Sequence, residues 1–271
     1  MFKAGTTIGK NITEKTFIEI AEAGLSTVEI GNTEHDLNDL RRYADSSGVE
    51  LYSMHLPYAP LAERSLAITD RQIQQKNISD FAELIRMGAN VGISKFIVHP
   101  STPLDESVPR EEQKKYAKEA LFELAEIAAK EGGELAVEDM ITSCLGNSPE
   151  ELLEIISVND KLRICFDVNH LFGTTHEEFI RKLGDKIIHT HISDYDFVEE
   201  RHWLPGEGKI DWLALCNNLR DAGYNGVWNY EVAMRGPKLD ERGRELTFAD
   251  LGRNAAEIFS GKKPTVIRRD S

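Results

Sequence analysis

Six short apolar runs in this 271-residue chain finish on a carboxylate or an imidazole. They end at His55 (LYSMH), His99 (FIVH), Glu138 (LAVE), Asp167 (RICFD), His191 (IIHTH) and Glu231 (WNYE), and His170 follows Asp167 by three residues. Of the eight histidines in the chain, four belong to this set. A lone histidine after an apolar run is ordinarily a hydrogen-bonded rim residue, and a lone carboxylate ordinarily caps a helix or faces water. Convergence changes that reading. Several carboxylates brought together repel one another unless a cation compensates. Two Glu, one Asp and several His form the donor mix of Zn²⁺, Mn²⁺ and related divalent ions.

Two flanking segments belong to the same candidate site. After the seventh run comes HISDYDFVEERHWLPGEGKIDW, with Asp194, Glu200, Arg201 and His202 ahead of a Pro-Gly-x-Gly turn. Its glycines permit a tight turn near a ligand, and its length suits a lid. Arg201 is a candidate anion contact, while His202 is balanced between function and surface. Trp203 and Trp212 flank the turn and are read first as rim packing, with a substrate or a neighbouring subunit as the other option. HLPYAP sets Tyr58 on a stiff connection near His55. In the seventh run His191, nearer the end, is expected to face inward and His189 the helices. His35 and His176 read as surface residues.

The elements that must position these groups alternate regularly. Strand candidates are Phe2–Thr7, Thr27–Ile30, Glu50–His55, Lys95–His99, Glu134–Glu138, Leu162–Asp167, Ile187–His191 and Gly226–Glu231. Their continuous apolar character suits parallel strands covered on both faces. Amphipathic stretches lie between them, among them Thr13–Ala23, Asp70–Val91 and Arg110–Lys130, the last stopped by Gly132-Gly133. Eight β-then-α units in about 260 residues match an α/β fold of the (β/α)₈ TIM-barrel kind. A doubly wound sheet would ordinarily carry a glycine-rich fingerprint after its first strand, where this chain has TTIGKNIT. We read one domain over residues 1–260 and a loosely held polar tail over 261–271. In such a barrel the ends of the strands form the active face.

Composition narrows the function classes. With 46 acidic against 32 basic residues the formal charge is −14, which argues against a nucleic-acid partner. No run approaches the ~18 apolar residues that span a bilayer, so no membrane partner is expected. Three cysteines without CxxC spacing fit a reducing cytoplasm rather than a disulfide framework or a cysteine zinc site.

At VEDM, FDVNH, HTHISD, HWLPGEGKIDW and YEV the sequence resembles the xylose-isomerase-like TIM-barrel superfamily, over essentially the whole chain. That group includes sugar and sugar-phosphate isomerases and epimerases, inosose-converting enzymes, dehydroshikimate dehydratases and the endonuclease IV group. The resemblance implies a metal-dependent isomerase or epimerase of a sugar, sugar phosphate or inosose-like polyol. Such an enzyme removes a proton next to a carbonyl through a metal-stabilised enediolate. In the epimerase branch a Glu, an Asp, a His and a second Glu hold one ion; by motif match these are Glu138, Asp167, His191 and Glu231. The ion would be Mn, Zn, Mg or Co, and the two glutamates would exchange the proton. His170 would contact substrate, with His55, His99, Arg201 and His202 as further substrate contacts. Barrels of this group often form homodimers. Glu29, in VEIGN, stands where a polar group at the barrel mouth would touch substrate.

The endonuclease IV branch is the rival resemblance, using two or three zinc ions on abasic DNA. His55, His99, His170, Glu200 and His202 would then be additional ligands. The chain departs from that branch in having Glu-Arg-His where an Asp is expected and a short spacing from His191. It also lacks a basic or aromatic stretch after the second strand that would enter a duplex.

Overall fold

The computed structural model describes residues 2–31 and 33–269. Strands and helices alternate as β1 (Lys3–Ile8), α1 (Glu14–Glu22), β2 (Thr27–Ile30), α2 (Leu37–Ser47), β3 (Glu50–His55), α3 (Arg71–Asn90), β4 (Lys95–Val98) and α4 (Arg110–Lys130). The second half continues with β5 (Glu134–Glu138), α5 (Pro149–Ile156), β6 (Arg163–Asp167), α6 (His176–Leu183), β7 (Ile187–Ile192), α7 (Trp212–Asp221), β8 (Val227–Tyr230), α8 (Leu239–Arg242) and α9 (Phe248–Phe259). All eight strands pair in parallel and in sequence order, and β8 closes onto β1 with Lys3 opposite Val227. This is a closed (β/α)₈ barrel, with every strand end within one residue of its expected place.

Local chemistry sets the helix starts. Thr13 and Thr16 form a reciprocal capping box on α1, and the Asp70 carboxylate accepts from the amides of Gln72 and Ile73 to start α3. Successive strand residues point to opposite faces of the sheet, so one set faces the helices and the other the barrel axis. Outward residues make the main core: Phe166 on β6 stacks on Phe179 of α6 with ring centroids 4.4 Å apart. The Phe96 ring fills a gap between α3 and the turn before β5, where a Cβ at Gly88 or Gly133 would lie 2.8 Å from it. Emptying that position by Phe96→Ala would cost about 3–5 kcal/mol.

The inward set is different. Ile97, Ala136 and Cys165 form a small apolar cluster of their own, separate from the main core. Above it the interior turns polar: Glu29, Ser53 and His189 are all fully buried. All three cysteines are free and buried. Among the described residues no helix is long and apolar enough to cross a membrane. The described part of the tail, expected to be loose, is held at two points: the Thr265 amide and hydroxyl donate to Glu257 on α9, and Ile267 is buried; residues 270–271 lie outside the described residues.

Candidate metal centre

Glu138, Asp167 and His191 come from the ends of β5, β6 and β7, and Glu231 follows the last residue of β8. One ligand atom from each lies within 4.8 Å of the others. His191 Nδ1 is the hub, 3.2 Å from Glu138 Oε1, 3.4 Å from Glu231 Oε2 and 3.9 Å from Asp167 Oδ2. Asp167 is fully buried, and its Oδ1 accepts from the Asn169 amide while Oδ2 has no hydrogen-bond partner. Burial pushes the Asp167 carboxyl up, with His170 opposing and the Glu138 charge adding to the rise. Burial likewise raises Glu231, against the pull of His191 and His202. Glu138 goes the other way: burial would raise it, but the charges of His191 and His99 hold it well below the usual carboxylate range. Three carboxylates around one imidazole, one of them with an orphaned oxygen, are a donor set that fits a divalent ion.

Three further histidines share one pattern, in which Nδ1 meets a main-chain carbonyl and Nε2 turns to a carboxylate. His55 Nδ1 donates to Leu56 O (2.8 Å), and its Nε2 lies 3.0 Å from Glu138 Oε2. His170 Nδ1 donates to Asp139 O (2.7 Å), and its Nε2 faces Asp167 Oδ2 at 3.5 Å and Glu200 Oε1 at 3.6 Å. His202 Nδ1 donates to Glu231 O (3.0 Å), with Nε2 2.6 Å from Glu200 Oε1. A carbonyl can only accept, so Nδ1 carries the proton. Nε2 then shares a proton or a cation with its carboxylate. His99 adds its Nε2 at 3.3 Å from Glu138 Oε2, making His55, His99 and Glu138 a second group able to hold an ion. His170 nearby and the hydrogen bond from His202 lower the Glu200 carboxyl. His202 is pushed up to about 9, since Glu200 and Glu231 outweigh its burial. It sits at φ 50°, a left-handed conformation that histidine visits more often than most residues.

Several expectations need correction. Glu29 does not reach the mouth: it is fully buried beneath His191, with Oε1 accepting from the Thr7 hydroxyl (3.1 Å) and Oε2 from the Ser53 hydroxyl (2.9 Å). His189 faces inward with His191, its Nε2 2.9 Å from Glu29 Oε2. Residues two apart on a strand share a face, and Thr190 between them takes the other. Arg201 turns away from the cavity to Asp196 (Nε to Oδ2, 3.1 Å) and Glu199 (2.5 Å). His176 is largely covered, its ring donating to Val168 O at 2.7 Å, whereas His35 lies at the surface against Gly9 O. The tryptophans pack within the rim: Trp212 is buried, and Trp203 lies under the Lys238 ammonium, 4.1 Å from the ring centre.

Two buried acids shape the site from behind: Asp139, which the sequence reading did not name, and Asp194, which it placed in the late loop. Asp139, next to Glu138, accepts the Asp167 amide at 2.7 Å and so sets the height of that carboxylate. Asp194 organises the loop that carries Glu200 and His202 by accepting from the Tyr195, Gly206 and Ile210 amides and from Trp212 Nε1. The cavity above the quartet has a volume of about 220 Å³. Its lining combines polar His99, Glu138, His170, His202 and Glu231 with the more apolar Tyr58, Leu61, Met140 and Ile141.

A closed parallel barrel with acids and imidazoles converging at the strand ends defines a class, and the chain belongs to it. The model of the xylose isomerase-like TIM barrel family matches residues 17–250. The chain is 28% identical over 247 residues to the inosose isomerase of Bacillus velezensis, covering 85% of this chain and 87% of that one. It is also 29% identical over 189 residues to the uncharacterized protein MJ1311 of Methanocaldococcus jannaschii, a match to 64% of this chain that spans only 62% of that relative. Among solved structures, a D-tagatose 3-epimerase-like protein superposes with a TM-score of 0.79 at 22% identity, over 96% of this chain and 97% of the other.

Proposed function

We propose that the protein is a divalent-metal-dependent isomerase or epimerase of a small sugar, sugar phosphate or inosose-like polyol. The observation that carries this reading is the convergence of Glu138 and Glu231 on His191 Nδ1, at 3.2 and 3.4 Å. Glu138, Asp167, His191 and Glu231 would hold the ion, Mn, Zn, Mg or Co. That ion, when bound, supplies the positive charge that stabilises an enediolate. The chain's own groups do the rest. Glu231, open to the cavity, and Glu138, across the mouth, take and return the proton on the carbon next to the carbonyl. His170, His99 and His202 orient the substrate hydroxyls, and the Tyr58–Leu61 and Met140–Ile141 wall sheds water from the reacting carbon. The likeness to an inosose isomerase over most of the chain supports a cyclic or open-chain polyol ketone as substrate. Three free buried thiols support a reducing cytoplasm as its location. The test is incubation with a panel of ketoses and inososes in D₂O, followed by proton NMR. Deuterium entering the carbon next to the carbonyl, and absent with Glu231→Gln, supports the reading; no exchange with any member refutes it.

A second reading has one specific observation behind it. His55, His170 and His202 all present Nε2 toward carboxylates, as ligands of further ions would. Two or three zinc ions per chain after dialysis, with cleavage of an abasic-site duplex, would establish a multinuclear phosphodiesterase instead.

A further inference from the structure

We propose that Glu29 is a positioning residue that fixes His191 as an Nδ1 ligand, one layer below the proposed metal centre; this rests on His191 being a ligand there. The two ring nitrogens of His191 face opposite surroundings. Nδ1 looks up at three carboxylates, while Nε2, without an aligned hydrogen bond, lies 3.0 Å from Glu29 Oε1 as an ion-pair contact. Only one nitrogen of a ligating imidazole carries the proton, and the carboxylate at Nε2 selects it.

Glu29 is itself held on all sides. Its Oε1 accepts from Thr7, whose hydroxyl in turn accepts from Asn229 Nδ2 at 2.9 Å. Its Oε2 accepts from Ser53 and meets His189 Nε2. β1, β2, β3, β7 and β8 thus meet at one carboxylate, and His191 inherits their rigidity. A fully buried acid costs several kcal/mol unless its partners repay it. Placing one beneath a ligating imidazole, rather than the branched aliphatics that usually fill a barrel interior, is what a fixed tautomer requires.

The test uses the whole protein stripped of ions and reloaded with Zn²⁺, a diamagnetic probe. ¹⁵N-histidine NMR reads which nitrogen of His191 is protonated, and chelator competition reads affinity. We expect wild type to show a protonated Nε2 and a ligated Nδ1. Glu29→Gln should bind Zn²⁺ ~10–100-fold more weakly, with its thermal midpoint reported alongside. Ser53→Ala, which removes a donor from the other carboxylate oxygen, should keep both the tautomer and most of the affinity. A wild-type His191 ligated through Nε2, or Glu29→Gln with unchanged affinity and tautomer, would overturn the role of Glu29 alone. A wild-type protein that takes up no Zn²⁺ would overturn the metal centre with it. The wild-type tautomer decides the matter even if Glu29→Gln does not fold.

Discussion

Asp167 and Asp194 stand 27 positions apart, both fully buried near the active face of the barrel, and they are built on opposite principles. Asp194 is saturated from within. Its Oδ1 accepts from the amides of Tyr195 (2.9 Å) and Ile210 (3.2 Å), and its Oδ2 from the Gly206 amide and Trp212 Nε1, each at 2.8 Å. Asp167 keeps Oδ2 without a donor in the midst of two glutamates and two histidines. A buried carboxylate with every lone pair answered locally is scaffold; one with an open lone pair among other acids is built for something the chain does not contain. The same contrast separates the loop that shapes the cavity from the quartet that would do the chemistry.

Substitutions sharpen the contrast in order of size. On the open side, Glu231→Gln should lower turnover by about 10³–10⁴-fold while the thermal midpoint stays within a few degrees, checked by steady-state kinetics beside circular dichroism. On the saturated side, Asp194→Ala orphans four donors and should cost about 3 kcal/mol, lowering the melting midpoint by roughly 10 °C with or without added ion. Asp167→Asn is the counter-case: with no donor lost from Oδ2, the ion-free midpoint should hold or rise, and parallel falls in the two aspartate variants would break the distinction.

Gly208 sharpens it further. An added Cβ there would run into the Asp194 carboxylate and the Tyr195 carbonyl, so Gly208→Ala should cost about 2 kcal/mol by urea titration. The smallest effect belongs to a second saturated acid, Asp250, which caps α9 and accepts from Arg244 and Arg253. Burial raises its carboxyl, but Arg244 and Thr247 bring it down to about 2. Its folded value lies below the unfolded one near 3.9, so the stabilisation is full above about pH 4 and disappears as pH falls toward 2. Asp250→Asn should remove about 1 kcal/mol of that acid-side slope, measured by thermal melts across pH 2–5.

Much of this was readable from the chain. Continuous runs such as FIVH and RICFD gave parallel buried strands, and period and length placed six candidate side chains at their ends; choosing Glu138, Asp167, His191 and Glu231 among them rested on the family resemblance. What failed depended on depth and direction. Glu29 lies inside TVEI with nothing to mark its height; the register with β3 shifts between Val28 and Glu29, and barrel stagger carries it below the mouth. His189 was misplaced by treating residues two apart as opposed when the pleat aligns them. Arg201 points away because the left-handed turn at His202 aims the flanking Glu200 and His202 toward the cavity. Asp194 draws donors from positions 195, 206, 210 and 212, a closure that irregular backbone hides from any periodic pattern.

The most direct test of the open carboxylates is calorimetric titration of Mn²⁺ into chelator-stripped protein, for wild type and Asp167→Asn. We expect saturable binding in wild type that the variant loses, at an unchanged fold by circular dichroism. Wild type that binds nothing, or a variant that binds as tightly as wild type, would contradict a metal centre at Glu138, Asp167, His191 and Glu231.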